Sequence, residues 1–289
     1  MKKVGIIDNY ISNFHTNTYH KLFHEIAVEE NREEYVITHI YAKTDVSPSD
    51  KLTTKEWCEK YGAKECDSIG EVVDNVDVIM VLAPNNPEMH EELCKIPLES
   101  GKKVYIDKTF APDYETAVRI AEFGKKNGAQ FWSSSATRFE PCLDEFLKAE
   151  ESKTSKITVN SGNVFKIYSI HLIELMNTFM KNGAKSVVCH SNTATLVFEI
   201  TFKDGRKAFL NQFEGTWAPF ALYPEIDGKC KELFCKTDFW KCFARALLDF
   251  FDNGTIPVDI ESAIECIAVR SAMCKAKENV GVEVMVEGV

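Results

Sequence analysis

The first half of the chain alternates short apolar runs with segments whose apolar residues recur at helical spacing. The runs are rich in β-branched residues and do not alternate with polar positions. They predict strands at residues 4–7, 35–41, 76–83, 103–106 and 130–133, with helical spacing across residues 18–27 and 117–123 and a connection at 62–74. Strands of this kind are buried on both faces, so the pattern predicts a doubly wound α/β domain with a parallel sheet.

The second half of the chain is patterned differently. It predicts strands at 156–159, 186–190, 193–201 and 207–212, and helices at 143–149, 171–180, 238–253 and 260–279. The last two strands are joined across Asp204-Gly205, a typical hairpin turn. We therefore expect an α+β domain with a mostly antiparallel sheet, whose open face is a natural surface for self-association. The predicted domains are residues 1–135 and 136–289.

Length and charge limit the classes of partner. A chain of 289 residues more often forms two domains than one. Its 44 acidic and 34 basic residues give a formal charge of −10, which opposes attraction to nucleic acid or to an anionic membrane. We expect a small-molecule substrate as the partner, with no nucleic acid and no membrane. Asp8 interrupts the first apolar run early, and no run of about 18 apolar residues follows, so a cytoplasmic protein is expected.

Three further groups of residues carry weaker signals. Ten cysteines without any Cys-x-x-Cys pair favour reduced thiols over disulfides or zinc. His20 and His24 have the i, i+4 spacing of two metal ligands, but no third ligand is evident, so we predict no metal. Trp217, Phe220 and Tyr223 either stack on a sugar or lie at a strand end or subunit interface, and the second reading is favoured.

The strongest chemical signal is Lys108, which follows the apolar strand at 103–106 and precedes a helix. This position lies over the carboxyl edge of the sheet, where α/β folds hold their ligands. A solvated lysine in a surface turn is the alternative reading. A lysine and a histidine held together can divide proton transfer and the stabilisation of an oxyanion during oxidation of an alcohol or reduction of a carbonyl.

Several landmarks occur in the order typical of one oxidoreductase family. They are Val4-Gly5-Ile6-Ile7, Leu82-Ala83-Pro84-Asn85 followed by His90, Gly101-Lys102-Lys103-Val104-Tyr105-Ile106-Asp107-Lys108-Thr109, Arg138-Phe139 with Pro141, and His171 with Glu174. Through these motifs the chain resembles the glucose-fructose oxidoreductase and inositol dehydrogenase family, written Gfo/Idh/MocA. No single motif is specific, but their order and spacing together span nearly the whole chain.

The resemblance implies a Rossmann-like NAD(P)-binding domain, a substrate domain, and hydride transfer to or from a secondary alcohol or carbonyl of a small sugar-like or polyol-like compound. The implied catalytic residues are Lys108, His171 and Glu174, and we expect them to face one pocket. Glu174, one helical turn after His171, is expected to orient the imidazole. The resemblance also implies that Arg138 binds the substrate together with Lys108 and His171. The implied cofactor contacts are Asp8, Asn9, Tyr10, Ile11, Lys43, Thr44, Ala83, Pro84, Asn85, His90, Asp107 and Lys108.

The loop after the first strand departs from the family. The family has Gly-x-Gly-x-x-Gly there, which lets the backbone approach the cofactor pyrophosphate. This chain has no glycine between Asp8 and His15, and Asp8 and Tyr10 bring charge and bulk to the first two glycine positions. Weak dinucleotide binding is therefore predicted. Lys43 and Thr44 suit a 2′-phosphate and Asp45 suits a ribose hydroxyl, so NAD and NADP both remain open.

The span between Pro141 and His171 is also shorter than the family's. A shallower pocket, or one completed by a neighbouring subunit, would follow, and we expect a homo-oligomer formed through the C-terminal sheet. An alternative function is a non-catalytic relative that has lost the cofactor and acts as a small-ligand binder or scaffold. The glycine-free loop favours this alternative, whereas retention of Lys108, His171 and Glu174 favours the enzyme.

Overall fold

The computed structural model describes residues 1–149, 154–236 and 238–288. These residues form two compact units. The first consists of Met1–Ser133 and Ala244–Ile260, and the second of Ser134–Phe243 and Glu261–Val289. Each unit is described below by itself.

The first unit contains the predicted parallel sheet. Within residues 1–133, all of which are described, six strands pair in the order β3-β2-β1-β4-β5-β6, and every ladder is parallel. The central β1 is buried from Val4 onward. The doubly wound α/β fold is confirmed. The strands are β1 (Lys2–Asp8), β2 (Tyr35–Ala42), β3 (Lys64–Glu65), β4 (Val78–Val81), β5 (Lys103–Ile106) and β6 (Phe131–Trp132).

Helices connect these strands, and local capping explains where several of them begin. Asn13, Ser68 and Asp113 each accept a hydrogen bond from a backbone N–H in the first turn of the helix that follows, which satisfies a donor left without an intrahelical partner. The helices are α1 (Phe14–Glu30), α2 (Thr54–Tyr61), α3 (Ile69–Asn75), α4 (His90–Leu93), α5 (Lys95–Glu99) and α6 (Tyr114–Lys126). Residues 62–74, expected as a connection, therefore hold β3 and most of α3.

In the described part of the second unit, eight strands form a mostly antiparallel sheet, as predicted. The order is β12-β11-β7-β10-β9-β8-β14, with β13 paired to β11, and only the β7–β10 ladder in this described sheet is parallel. The strands are β7 (Thr154–Gly162), β8 (Ala184–Asn192), β9 (Thr195–Phe202), β10 (Lys207–Phe213), β11 (Ala221–Ile226), β12 (Lys229–Cys230), β13 (Leu233–Phe234) and β14 (Glu283–Met285).

The remaining helices are α7 (Pro141–Ala149), α8 (Phe165–Met180), α9 (Phe239–Asn253) and α10 (Ile260–Glu278). Helix α8 is almost wholly buried and packs against β7 and β10. Along β9 and β10 buried residues alternate with half-buried or exposed ones, so one face of the sheet forms the core of the unit.

The predicted division after residue 135 differs from the structure in one segment. Residues 244–260 were assigned to the second domain, but they pack with the first unit. Tyr35 donates a hydrogen bond to Asp252 at 2.7 Å, Lys103 Nζ donates to the carbonyl of Phe251 at 2.8 Å, and Trp132 meets Phe250 edge to face. These contacts bury apolar surface and satisfy polar groups, and they hold the end of α9 on the parallel sheet.

Three general features complete the fold. All ten cysteines lie in the described ranges and are free thiols. Within those ranges no helix is long and apolar enough to cross a membrane. Among the same residues no group of three or more side chains has the arrangement of a metal site.

Candidate active site

The carboxyl ends of β1 and β4 mark the point where the strand order reverses. Strand β1 pairs with β2 on one side and with β4 on the other, so the loops that follow β1 and β4 diverge above the sheet. Crevices at such switch points are the usual ligand sites of open α/β sheets. The predicted site residues of the first unit lie on the loops after β1, β2, β4 and β5.

Asp8 ends β1 and turns its carboxylate into the protein, where it is 1% exposed. It accepts hydrogen bonds from the backbone N–H groups of Asn9 at 2.7 Å and Ala83 at 2.9 Å, and from the side chain of Asn13 at 2.8 Å. Burial raises the pKa of Asp8 to about 7, although these hydrogen bonds oppose the rise. The expectation that this carboxylate points toward a bound phosphate is therefore wrong, because its oxygens bind donors within the protein.

Asn9 links three loops at the edge of the sheet. Its amide donates to Asn86 Oδ1 at 3.1 Å, its carbonyl accepts from the Thr44 N–H at 2.7 Å, and Thr44 Oγ1 lies 3.3 Å from its Oδ1. Lys43 is exposed and forms an ion pair with Glu92. Polar side chains thus tie the loops after β1, β2 and β4 to one another.

Helix α1 presents its N-terminus at the same edge. Asn13, at the place of the family's third glycine, caps this helix by accepting a hydrogen bond from Thr16 N at 3.1 Å. The first turn of α1 contains no acidic residue. A helix N-terminus of this kind favours a negatively charged group.

Lys108 lies just beyond β5 and is buried, with 5% of its surface exposed. Its ammonium donates a hydrogen bond to the carbonyl of Pro84 at 3.3 Å, on the loop after β4. Burial lowers the pKa of Lys108, and the neighbouring Asp107 carboxylate opposes that effect. The alternative of a solvated turn lysine is therefore wrong.

Asp107 is buried directly behind this lysine. Its Oδ1 accepts hydrogen bonds from the Tyr105 hydroxyl at 2.9 Å and from the backbone N–H of Lys108 at 2.8 Å, and its Oδ2 lies 2.6 Å from His15 Nδ1. Burial raises the pKa of Asp107, but His15, Lys108 and Tyr105 outweigh burial and the net shift is downward. Sequence reasoning missed His15, and its place at the start of α1, beside the switch point, was the one available signal.

His90 is fully buried and supports two loops. Its Nδ1 lies 3.0 Å from the carbonyl oxygen of Phe110, and its Nε2 faces the carbonyl oxygen of Leu82. The predicted contact between His90 and a cofactor is therefore wrong, because both ring nitrogens face backbone carbonyls inside the unit.

The other implied cofactor contacts divide by exposure. Ile11, Ala83 and Pro84 are buried, so their apolar side chains serve packing and only their backbone lies near the loops. Asn9 and Tyr10 are half-buried, and Lys43, Thr44 and Asn85 are exposed, so solvent reaches all five side chains. A ligand bound at the predicted cofactor site can contact these five side chains.

His171 lies on α8 in the second unit and is half-buried. Its Nδ1 is 2.7 Å from the hydroxyl of Ser135, and that hydroxyl also accepts the Thr137 N–H at 3.2 Å. The ring packs edge to face against Phe220, with 5.6 Å between the ring centroids. Ser135, which the sequence did not indicate, thus fixes the orientation of the imidazole, and Phe220 forms one wall beside it.

Glu174 and Arg138 are engaged with each other. They form a nearly buried ion pair, with side-chain exposures of 4% and 10%. Ser134 also donates to Glu174, at 3.3 Å, and Arg138 donates to Asn177 at 3.1 Å. The guanidinium therefore does not match the predicted substrate-binding role, and the carboxylate takes Arg138 rather than the imidazole as its charged partner. The cause is proximity: the short 3-10 helix Ala136–Phe139 places Arg138 against this face of α8.

Comparison with known proteins shows which family the N-terminal part of the chain resembles. Residues 4–135 match the model of the Gfo/Idh/MocA oxidoreductase family with an NAD-binding Rossmann fold. The uncharacterized oxidoreductase YhhX of Escherichia coli K12 is 31% identical over 84 residues, which are 29% of this chain and 24% of that relative. The chain thus spans about a quarter of the length of the curated relative that it matches.

Two solved structures share the fold over the whole chain. Myo-inositol 2-dehydrogenase from Lactobacillus plantarum has a TM-score of 0.77 at 15% identity, with 99% of each chain covered. GenD2 from gentamicin A biosynthesis, in complex with NAD, has a TM-score of 0.80 at 11% identity, with 100% of this chain and 97% of that chain covered. At such identities the likeness shows the fold alone. Residues 4–135 thus resemble the NAD-binding domain of Gfo/Idh/MocA oxidoreductases, and the chain shares its fold with these two solved structures.

Proposed function

We propose that the protein is an NAD(P)-linked oxidoreductase that transfers a hydride to or from a secondary alcohol or carbonyl of a small polar, sugar-like or polyol-like compound. The observation that carries the proposal is Lys108: a buried lysine, with its pKa lowered by burial, beside the ligand-binding edge of a parallel sheet. The match of residues 4–135 to the oxidoreductase family model and a structural neighbour described as a myo-inositol 2-dehydrogenase support the substrate class.

Lys108 is the proposed proton-transfer group. A lowered pKa makes the amine form of Lys108 easier to populate than that of a solvated lysine. The amine accepts the proton of the alcohol during oxidation, and the ammonium returns a proton to the carbonyl oxygen during reduction. His171, held by Ser135, is the proposed second hydrogen-bonding group for the substrate oxygen. That Lys108 and His171 serve one pocket stays a prediction.

The loop residues fit a dinucleotide at the edge of the sheet. The inward carboxylate of Asp8 and the acid-free first turn of α1 suit a pyrophosphate at the helix N-terminus. Asn9, Tyr10, Thr44 and Asn85 are the reachable side chains that would hold the cofactor. When bound, the nicotinamide supplies or accepts the hydride.

The second unit supports the proposal that the protein self-associates through its sheet. The strand faces turned away from the core carry half-buried side chains that include Val197, Phe209 and Tyr223. Open sheet faces with apolar side chains are common interfaces between copies of a chain. Sedimentation at several protein concentrations tests this directly, and a monomer at all of them would refute it.

One observation favours a second function, that of a ligand binder or scaffold without cofactor. The loop after β1 has no glycine, and Asn9 is already bound to the loops carrying Thr44 and Asn86. A cofactor must compete with these contacts. The two functions are separated by titrating the protein with NADH and with NADPH, followed by a test for hydride transfer with polyols and sugars. Saturable binding and turnover support the enzyme, whereas a protein that binds sugars but neither dinucleotide is the binder.

A further inference from the structure

The carboxylate of Asp107 is the centre of a buried polar group in the first unit. It contacts His15 at 2.6 Å, the Tyr105 hydroxyl at 2.9 Å and the backbone N–H of Lys108 at 2.8 Å. Asp107 is 1% exposed, and the side chain of His15 is 9% exposed. A charge this deeply buried must be compensated by neighbouring donors or cations. His15 and Lys108 supply that compensation.

The three groups are electrically coupled. The Asp107 carboxylate raises the pKa of Lys108 against the larger lowering effect of burial. Burial also lowers the pKa of His15, and the positive charge of Lys108 lowers it further, while Asp107 raises it. One buried negative charge is thus shared between an imidazole and an ammonium. The groups that fix the position of the Asp107 carboxylate therefore also determine how much it raises the pKa of Lys108.

Other titratable groups face the same cluster. Asp8 on β1 adds negative charge near Asp107, and Tyr19 on α1 interacts with Tyr105 and Asp107. His90 on α4 interacts with Asp107 and Lys108 through charge, but its ring nitrogens face the carbonyls of two loops. Of the titratable side chains around Asp107, His15 and Tyr105 lie within hydrogen-bonding distance of its carboxylate. Asp8, Tyr19 and His90 also face the cluster.

We propose that His15 is a positioning residue for Lys108 and acts through Asp107. The imidazole lies against the carboxylate, with Nδ1 2.6 Å from Oδ2, and keeps the carboxylate where it accepts the backbone N–H of Lys108. The inference rests on the proposed function, in which Lys108 transfers the proton. Without the imidazole beside it, the carboxylate acts more strongly on Lys108, and the ammonium form is stabilised.

The test follows the protonation of Lys108 by nuclear magnetic resonance in the full chain labelled with ¹³Cε-lysine. The Lys108 signal is assigned by its loss in Lys108→Met. In His15→Leu the titration midpoint of Lys108 should rise by about one pH unit. His15→Asn should restore most of the wild-type midpoint, because its amide nitrogen takes the place of Nδ1. Asp107→Asn should lower the midpoint, since the negative charge is lost.

The matched control is His24→Leu. His24 lies on the same helix and also pairs with a carboxylate, that of Glu34, but at the surface. Its replacement should leave the Lys108 midpoint unchanged. A folded His15→Leu variant with the wild-type midpoint overturns the proposal. If that variant does not fold, an unchanged midpoint in Asp107→Asn overturns it instead.

This experiment uses neither substrate nor cofactor. A protein without dehydrogenase activity can therefore still show the coupling, and an active enzyme can fail to show it. The proposed function and the role of His15 are thus tested separately.

Discussion

The carboxylate of Asp8 accepts a hydrogen bond from the backbone N–H of Ala83 at 2.9 Å, and this bond joins the loops after β1 and β4 across the switch point. Ala83 has φ of 60°, a left-handed conformation that is unfavourable for residues with a side chain. The strained backbone at Ala83 directs its N–H at Asp8. A loop without glycine is thus held in a fixed shape by a buried acid.

The first prediction concerns the pH dependence of stability. The pKa of Asp8 is about 7 in the folded protein, against an ordinary value of 3.8 that we take for the unfolded chain. Between pH 3.8 and 7 the folded state therefore binds more protons than the unfolded state. Protonated Asp8 contributes up to about 4 kcal/mol to the free energy of unfolding. This contribution is fully present below pH 3.8 and is lost as the pH rises through about 7. Asp8→Asn cannot ionise, so urea unfolding should show its stability gaining on the wild type as pH rises from 4 to 8.

The control for this prediction is Asp74→Asn, which neutralises an exposed carboxylate on α3. Its stability relative to the wild type should stay nearly constant over the same pH range. A constant difference between Asp8→Asn and the wild type would show that Asp8 stays ionised throughout.

The second prediction separates structure from catalysis at Glu174. Removing one partner of a buried ion pair leaves an uncompensated charge and costs about 3–5 kcal/mol. Glu174→Gln should therefore lower the free energy of unfolding by about 3–5 kcal/mol, because the buried guanidinium of Arg138 loses its negatively charged partner. Urea denaturation measures the loss. Glu225→Gln, which removes a surface partner of Lys156, should cost less than about 1 kcal/mol. Equal small losses in both variants would show that the ion pair between Glu174 and Arg138 is not a major source of stability.

Much of the fold follows from the sequence because buried parallel strands carry a continuous apolar run. Strand β5 occupies the predicted residues 103–106, and β1 extends the predicted run by a few residues. Strand β11 was not predicted, since Pro224 lies within it and the apolar run is short. Residues 244–260, which include the last ten residues of α9, pack with the first unit and not with the second, and the pattern could not show this because the contact with Tyr35 joins residues 217 positions apart.

The candidate site was harder to predict than the sheet. Lys108 stands out because it follows a strand, and its burial agrees with that signal. The partners of the site residues do not stand out. The spacing predicts that Glu174 orients His171, one helical turn away, but Glu174 pairs with Arg138, and Ser135 contacts the imidazole. Contacts between distant segments depend on the conformation of the loops. The periodicity of apolar residues along the sequence carries no information on that conformation.

The third prediction tests Lys108 in turnover. Lys108→Met should lower kcat by about 10²–10⁴-fold, the usual contribution of a proton-transfer group. Lys108→Arg keeps the charge but does not deprotonate, so it should lose activity in the oxidation direction as well. Steady-state assays that follow NADH absorbance measure both, with Lys126→Met on the exposed side of α6 as control. Activity within twofold of the wild type in Lys108→Met would remove this residue from the reaction.

The fourth prediction concerns the choice between NADH and NADPH. Glu92 neutralises Lys43, the exposed cation of the loop after β2. In Glu92→Gln the lysine is released for a 2′-phosphate, so the Kd of NADPH should fall by about two- to fivefold while that of NADH stays the same. Fluorescence titration measures both constants. Glu99→Gln on α5 removes the same charge elsewhere, and an equal gain in that variant would assign the effect to net charge alone.

The last prediction follows from the different placement of the two residues that replace the first loop glycines. Tyr10 is half-buried at the edge of the sheet, so Tyr10→Gly removes bulk from the cofactor side and should lower the Kd of NADH. Asp8→Gly instead removes the acceptor for the N–H groups of Asn9 and Ala83, and should lower the melting temperature without strengthening binding.

Isothermal titration and thermal unfolding of the two single variants and of the double variant separate these effects. Tighter binding in Asp8→Gly, with an unchanged melting temperature, would mean that its carboxylate faces the cofactor after all. Asp8 and Tyr10 share Asn13 as a hydrogen-bond partner, so the double variant should lose the stability that Asp8→Gly loses and gain less binding than Tyr10→Gly alone.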